Sequence, residues 1–189
     1  MTRDEADRLL EAAQGSHHIH RFITLGLYTG TRRGALLALQ WLPNTTGGHI
    51  DLDKGLLFRR SADVAESKKR QPTARLPDWL IEQLTRWRRD TRQYVIEYRG
   101  IAVRDVKTGF NASVRRAGLS GVTPHVLRHT AITWAMQDGV RLSSVSQFFG
   151  ISVAELERTY FHHHPDYQAD IVESLGRKSR YAERNAEQN

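Results

Sequence analysis

Apolar positions recur at helical spacing toward both ends of the chain and alternate only in a short middle stretch. Thr2 followed by Glu5 reads as a capping box that opens a helix over 3–14. Ile19, Phe22, Ile23 and Leu27 share one side of a second helix over 17–28. Thr29-Gly30-Thr31 breaks that helix, and a short third one over 32–39 stops before Pro43. A polar loop, Asn44 to Gly48, then precedes three short strands at 49–52, 55–64 and 72–76. Asp53-Lys54-Gly55 suits the first turn and Ser67 to Gln71 the second. After Pro77, Asp78 caps a long helix through Tyr98, with Trp79, Leu80, Leu84 and Trp87 in its apolar set and Gly100 ending it. Another helix spans 104–117 and closes at Gly118. Thr123-Pro124 starts a helix that runs to Asp138-Gly139, a short helix covers 142–149, and Ser152 with Glu155 is a second capping box. Helices, a small antiparallel sheet, then helices again make an α+β fold with helix dominant.

Composition narrows the partners. Lys and Arg number 28 against 21 acidic residues, a net charge of +7 with a pI near 10.0. That balance favours polyanions, nucleic acid before acidic membrane surfaces, although simple solubility accounts for it too. With 39% hydrophobic residues and four tryptophans, the 189 residues can bury a core despite a mean hydropathy of −0.55. The absence of cysteine excludes disulfides and thiolate metal sites. No apolar run reaches the roughly 18 residues of a membrane span, and the charged N-terminus lacks a signal-peptide core. The expectation is a soluble, cytoplasmic chain.

Four constellations could carry chemistry. His125, Arg128 and His129 share one face of their helix, opposite Leu127, Ala131, Trp134 and Ala135, and so either hold an anion or form a solvated polar face. Arg32 follows the tight Thr29-Gly30-Thr31 turn, where its planar fork would suit two phosphate oxygens or simply face solvent. Lys68-Lys69-Arg70 is a charged hairpin tip that either serves solubility alone or carries a lysine able to reach into a groove. Thr159-Tyr160-Phe161 leads into His162-His163-His164, but consecutive histidines without a carboxylate or Cys make a poor metal site. No metal and no cofactor are expected.

Taken together these blocks resemble the tyrosine recombinase, or phage integrase, family. Thr29-Gly30-Thr31-Arg32 followed by Leu36, Leu39 and Trp41 is similar to the family's TGxR block. Lys68 precedes Arg75-Leu76-Pro77 as the family's hairpin lysine precedes an R-x-P stretch. His125 to Thr130 reads HxLRHT letter for letter, and Tyr160 stands nine residues beyond Ile151, with His162 two later. The resemblance covers residues 3–168.

The resemblance implies a mostly helical catalytic domain with a small three-stranded antiparallel sheet, the DNA breaking-rejoining fold. It implies a site-specific recombinase or integrase of a bacterial mobile element, cutting and rejoining double-stranded DNA through a 3′-phosphotyrosyl intermediate. Tyr160 would be the nucleophile and Arg32 and Arg128 the clamp on the non-bridging oxygens. His125 would assist proton transfer or bind phosphate, and Lys68 would protonate the leaving oxygen. Metal-free phosphoryl transfer needs those parts: a nucleophile, cations and a proton donor. The implied assembly is a homotetramer on DNA and a monomer when free, with nucleoid association when bound.

Three departures qualify the resemblance. Ala35 stands where the family often has an acidic residue, and Ile151 stands where it has a phosphate-binding His. His162 or His163 could substitute for the latter; otherwise the chain is a weakened or inactive DNA-binding remnant. The third is an expectation that the family's N-terminal core-binding domain is absent, with residues 1–175 read as the catalytic domain and 176–189 as a polar tail. A type IB topoisomerase-like relaxer is the third reading, and the TGxR and HxLRHT blocks favour the recombinase.

Overall fold

A computed structural model describes residues 1–61 and 70–176. The chain begins with α1 (Arg3–Ala13), whose Thr2 and Glu5 form the full reciprocal capping box. α2 (His17–Thr29) is buried along nearly its whole length, including Arg21, so its apolar side is wider than the four positions read from the sequence. Gly30 ends α2 at φ +58°, and a side chain there would meet the Phe149 ring at 2.4 Å. α3 (Arg33–Leu37) follows, with Arg32 as its extended N-cap.

β1 (His49–Asp51), β2 (Leu56–Phe58) and β3 (Ala74–Arg75) form an antiparallel sheet in that order, pairing Ile50 with Leu57 and Leu57 with Ala74. The strands are shorter than their alternation suggests. β2 ends at Phe58, and the region expected to carry its second turn falls largely in residues 62–69, outside the described residues.

α4 (Asp78–Arg89) corrects the longest predicted element. Its N-cap is Pro77 rather than Asp78, Trp79 lies 46% exposed against the edge of Tyr28, and the helix stops nine residues before Tyr98. The reason is local. Thr91 Oγ1 donates to the Trp87 carbonyl and accepts from Trp41 Nε1 at 2.8 Å, and the Glu97 carboxylate accepts the N–H groups of Arg92, Gln93 and Tyr94. The chain then pairs with Leu39–Trp41 and turns through β4 (Glu97–Tyr98) and β5 (Ile101–Ala102), a second antiparallel pair absent from the sequence reading.

α5 (Lys107–Arg116) starts where the Asp105 carboxylate accepts the Val106 and Lys107 N–H groups. α6 (Pro124–Gln137) carries Pro124 in its first turn and packs along α2. α7 (Leu142–Phe149) ends at Gly150 and α8 (Val153–Tyr160) begins at Ser152. Ser152 caps the Glu155 N–H, but the Glu155 carboxylate turns forward to Arg158 and Thr159, so the second capping box forms by half. A 3₁₀ turn (Phe161–His163) leads to α9 (Ala169–Gly176). A large core joins α1, α2, α4, α5 and the sheet. A smaller one, Ala131, Ile132, Met136, Val145, Phe149, Leu156 and Tyr160, joins α6, α7 and α8.

Candidate active site

Three arginines meet where α2, α6 and α7 end or begin beside the sheet. Arg128 on α6 is 7% exposed and donates through Nη1 to the Gly30 carbonyl at 2.7 Å and through Nη2 to the Phe149 carbonyl at 2.6 Å. Arg32 is half-buried and donates to the Arg70 carbonyl at 2.8 Å. Arg59, just past β2, lies beneath them at 4% exposure. It donates to Thr31 Oγ1 at 2.9 Å, to the Thr29 carbonyl at 2.8 Å, and to the Pro72 and Phe148 carbonyls, both at 2.7 Å.

These bonds run to carbonyls and a hydroxyl, and the described contacts put no carboxylate on any of the three. Burial, then the nearby guanidiniums of Arg128 and Arg32, pushes Arg59 down to about 9. Burial and Arg32 bring Arg128 down to about 10, opposed by Tyr160. Burial lowers Arg32 as well. Arg59 and Arg128 thus keep their charge at neutral pH with no counter-ion among the described residues, a ready-made seat for an anion.

The seat opens into a cleft of about 590 Å³ lined by Thr31, Arg32, Arg33, Gly34, Thr123, Pro124, His125 and Arg128. The N-terminus of α6 faces it, adding the partial positive charge of that helix end. His125 is exposed at the cleft wall, and Arg33 is neutralised by Asp105 at 2.7 Å.

Tyr160 ends α8 and is 5% exposed, with its ring in the smaller core. Its hydroxyl is hydrogen-bonded to His129 Nδ1 in a short contact. Burial pushes the phenol above its ordinary value; Arg128 opposes this and Glu155 adds to it. His129 is held below the usual histidine value by burial, then by His125 and Arg128.

Of the residues singled out in the sequence, Arg32, His125 and Arg128 share one cleft, and Tyr160 sits within the electrostatic reach of Arg128. Lys68 lies outside the described residues. The His162 and His163 rings lie 3.9 Å apart, tilted at 45°, in the 3₁₀ turn, and their described contacts do not reach the arginines. Ile151 is half-buried against the smaller core, and Ala35 is half-buried on α3. Among the described residues no group of three or more His, Cys, Asp or Glu could hold a metal ion. None of the described helices is long and apolar enough to cross a membrane.

Arg59 escaped the sequence reading, and so did the partner of His129. Arg59 follows the inward alternation of Leu57 and Ser61, so the strand period already pointed its side chain at the core. His129 shares the face of His125 and Arg128, but nothing in the spacing linked it to Tyr160.

The sequence profile of the Phage integrase family matches residues 1–166. The chain belongs to that family. It is 28% identical over 169 residues to the tyrosine recombinase XerA of Thermococcus kodakarensis, covering 85% of this chain and 56% of the relative. It is 24% identical over 186 residues to the integrase of Salmonella phage P22, covering 90% and 45%. The chain therefore spans about half the length of these curated relatives. Its fold matches the crystal structure of XerA recombinase with a TM-score of 0.67 at 24% identity, over 95% of this chain and 64% of that one. It also matches the catalytic domain of bacteriophage HP1 integrase, TM-score 0.63 at 20% identity, over 92% of each. The phage integrase fold expected from the sequence, mostly helical with a three-stranded antiparallel sheet, is thus the one observed.

Proposed function

We propose that this chain is the catalytic domain of a site-specific DNA recombinase that cuts and rejoins duplex DNA through a phosphotyrosine. One observation carries the reading: Arg32, Arg128 and His125 line one cationic cleft with no counter-ion among the described residues, and the buried Tyr160 lies within the electrostatic reach of Arg128. A scissile phosphate in the cleft would take bidentate contacts from the arginine forks. Tyr160 Oη attacks the phosphorus, the 5′-oxygen leaves, and the DNA 3′ end stays on the tyrosine. The arginines stabilise the added negative charge of the transition state. Lys68 is the proposed donor to the leaving oxygen; its neighbour Arg70 already touches Arg32 through its carbonyl. The covalent link conserves the phosphodiester, so rejoining needs no nucleotide.

A relative of the same fold, XerH recombinase, was solved bound to a palindromic substrate in a post-cleavage complex, with a TM-score of 0.60. Double-stranded DNA is accordingly the proposed partner, in a homotetramer on DNA and a monomer when free, in the bacterial cytoplasm. Residues 1–175 form the proposed catalytic domain and 176–189 a tail.

The test is a random-sequence pool of nicked duplexes, in which cleavage traps the covalent complex. The wild-type chain should give adducts that survive denaturing detergent. Tyr160→Phe should give none, and Arg128→Ala should lower the yield at least about 100-fold. DNA binding without any adduct, unchanged by Arg128→Ala, would instead make the chain a non-catalytic DNA-binding remnant, the outcome that Ile151 and Ala35 would then explain.

A further inference from the structure

The hydroxyl that the proposed reaction uses is hydrogen-bonded by a residue to which the reaction has so far given no part. Tyr160 Oη is bonded to His129 Nδ1. The His129 ring lies 4.4 Å from that of His125, edge to face, and 5.8 Å from the phenol ring. The three side chains form a file from the buried nucleophile to the cleft wall: His125 and His129 lie one turn apart on α6, and Tyr160 reaches His129 from the end of α8.

We propose, on the foundation of the recombinase reading, that His129 is the general base that takes the proton of Tyr160 as the tyrosine attacks DNA. The roles follow from the chemistry of the pair. A buried phenol keeps its single proton at neutral pH, and burial beside Arg128 and His125 keeps the imidazole neutral. A phenol is the better donor of the two, so Oη donates and Nδ1 accepts, leaving the ring proton on Nε2. In the cleavage step the Oη–H bond breaks and the proton passes to Nδ1. The phenolic oxygen bonds to phosphorus, the bond from phosphorus to the 5′-oxygen breaks, and that oxygen takes a proton from Lys68. Rejoining runs the same transfers backward, with His129 returning its proton to Oη.

The groups facing His129 are His125 and Arg128 on its own helix and Tyr160 from α8. Both neighbours on α6 oppose a second positive charge, so proton uptake by His129 is transient by design of its surroundings. His129 is also only half-buried, which gives the accepted proton a way out to water. His125 has no described bond to Tyr160 and keeps the cleft wall, where it can touch phosphate.

The experiment has a kinetic arm and a spectroscopic one. On the nicked-duplex pool, wild-type adduct formation should slow as pH falls below 6.5, the range in which a His129 base becomes protonated. His129→Gln should slow cleavage about 100-fold and lose that acid limb, and His129→Ala should be partly restored by added imidazole. His125→Gln should keep the limb. In the spectroscopic arm, the ¹⁵N shifts of the His129 ring are followed against pH without DNA. Tyr160→Phe should raise the His129 pKa, because the phenol that stabilises the neutral ring is gone. His129→Gln cleaving at the wild-type rate with its acid limb intact would overturn the proposal, as would a limb that follows His125 or a His129 titration indifferent to Tyr160→Phe. A wild-type chain that forms no adduct overturns the recombinase reading and the base with it; the spectroscopic arm then still tells whether the hydrogen bond exists.

Discussion

Arg128 and Tyr160 sit on neighbouring helices and are buried almost equally, 7% and 5% exposed, yet they are held by opposite means. Arg128 and its neighbour Arg59 are fixed by directional bonds to main-chain carbonyls at the ends of α2 and α7, with Arg59 reaching the strand approach at Pro72 too. Tyr160 is fixed by apolar packing and, among the described residues, one side-chain hydrogen bond to His129. The difference matches the two jobs proposed for the site. A phosphate seat must stay in place while charge develops on its ligand, so its cations are locked by donors and acceptors that cannot reorient. A nucleophile has to change partner, from a proton to phosphorus, and a lone hydrogen bond allows that.

The strongest way to break this contrast is to remove the hidden arginine. Arg59→Leu keeps the apolar stem but leaves the Thr29, Pro72 and Phe148 carbonyls without their donor. Unpaired buried acceptors of this kind cost about 1–3 kcal/mol each, partly offset because the mutation also removes a buried charge. The net loss should be about 3 kcal/mol in a denaturant titration. Arg59→Lys should recover little of it, since one ammonium lacks the fork that spans four acceptors. A loss below about 1 kcal/mol would mean that the guanidinium is a passenger in the core.

A narrower perturbation reaches Arg128 without touching it. Gly30→Ala puts a methyl at φ +58°, where an L residue is strained by about 1–2 kcal/mol, and drives it against the Phe149 ring. The Gly30 and Phe149 carbonyls are the two supports of Arg128, so both should shift. Stability should fall by about 2 kcal/mol, and affinity for a short DNA duplex should fall with it. The Tyr160 side should feel less: the His129 titration in the variant should stay as in the wild type. A shifted His129 with unaltered DNA affinity would reverse the assignment of the two regions.

How much of this could be read beforehand differs between the same two regions. Arg32 and Arg128 were legible because a tight turn and a helix face are local features with fixed spacing. The hairpin after α4 was not, because Glu97 reaches back to three N–H groups in a pattern that no helical or strand period marks, and because Thr91 meets Trp41, fifty residues away in the chain. Val95 and Ile96 are both fully buried, a pair that helical and strand periods explain equally badly. His129 shows the same limit at the site. Its position on α6 follows from the sequence, but its partner comes from α8, and only the packing of the two helices joins them.

The smallest effect is the pH dependence of stability, which also separates the regions. Arg59 and Arg128, at about 9 and 10, stay charged throughout pH 5–8 and contribute no slope there. His18, His20, His49 and His129 all titrate below the ordinary 6.5, with burial the first cause in each. As pH falls below 6.5 the unfolded chain therefore binds protons before the folded chain does, and stability declines until the folded-state values are passed. Above 6.5 that contribution is fully regained. On the alkaline side Tyr160, raised by burial, contributes the opposite slope, because the folded chain holds its proton longer past pH 10, while Arg59 and Arg128, lowered to about 9 and 10, release theirs first in the folded chain and contribute against it. Thermal melts between pH 5.5 and 7.5 should show the acid limb, each kcal/mol lost lowering Tm by about 2–4 °C for a chain of this size. Arg59→Leu should displace the whole curve downward without changing its shape, whereas His129→Gln should flatten part of the acid limb. An acid limb of identical shape in both variants would show that His129 is not buried against Tyr160 in solution, and that the nucleophile is held by apolar packing alone.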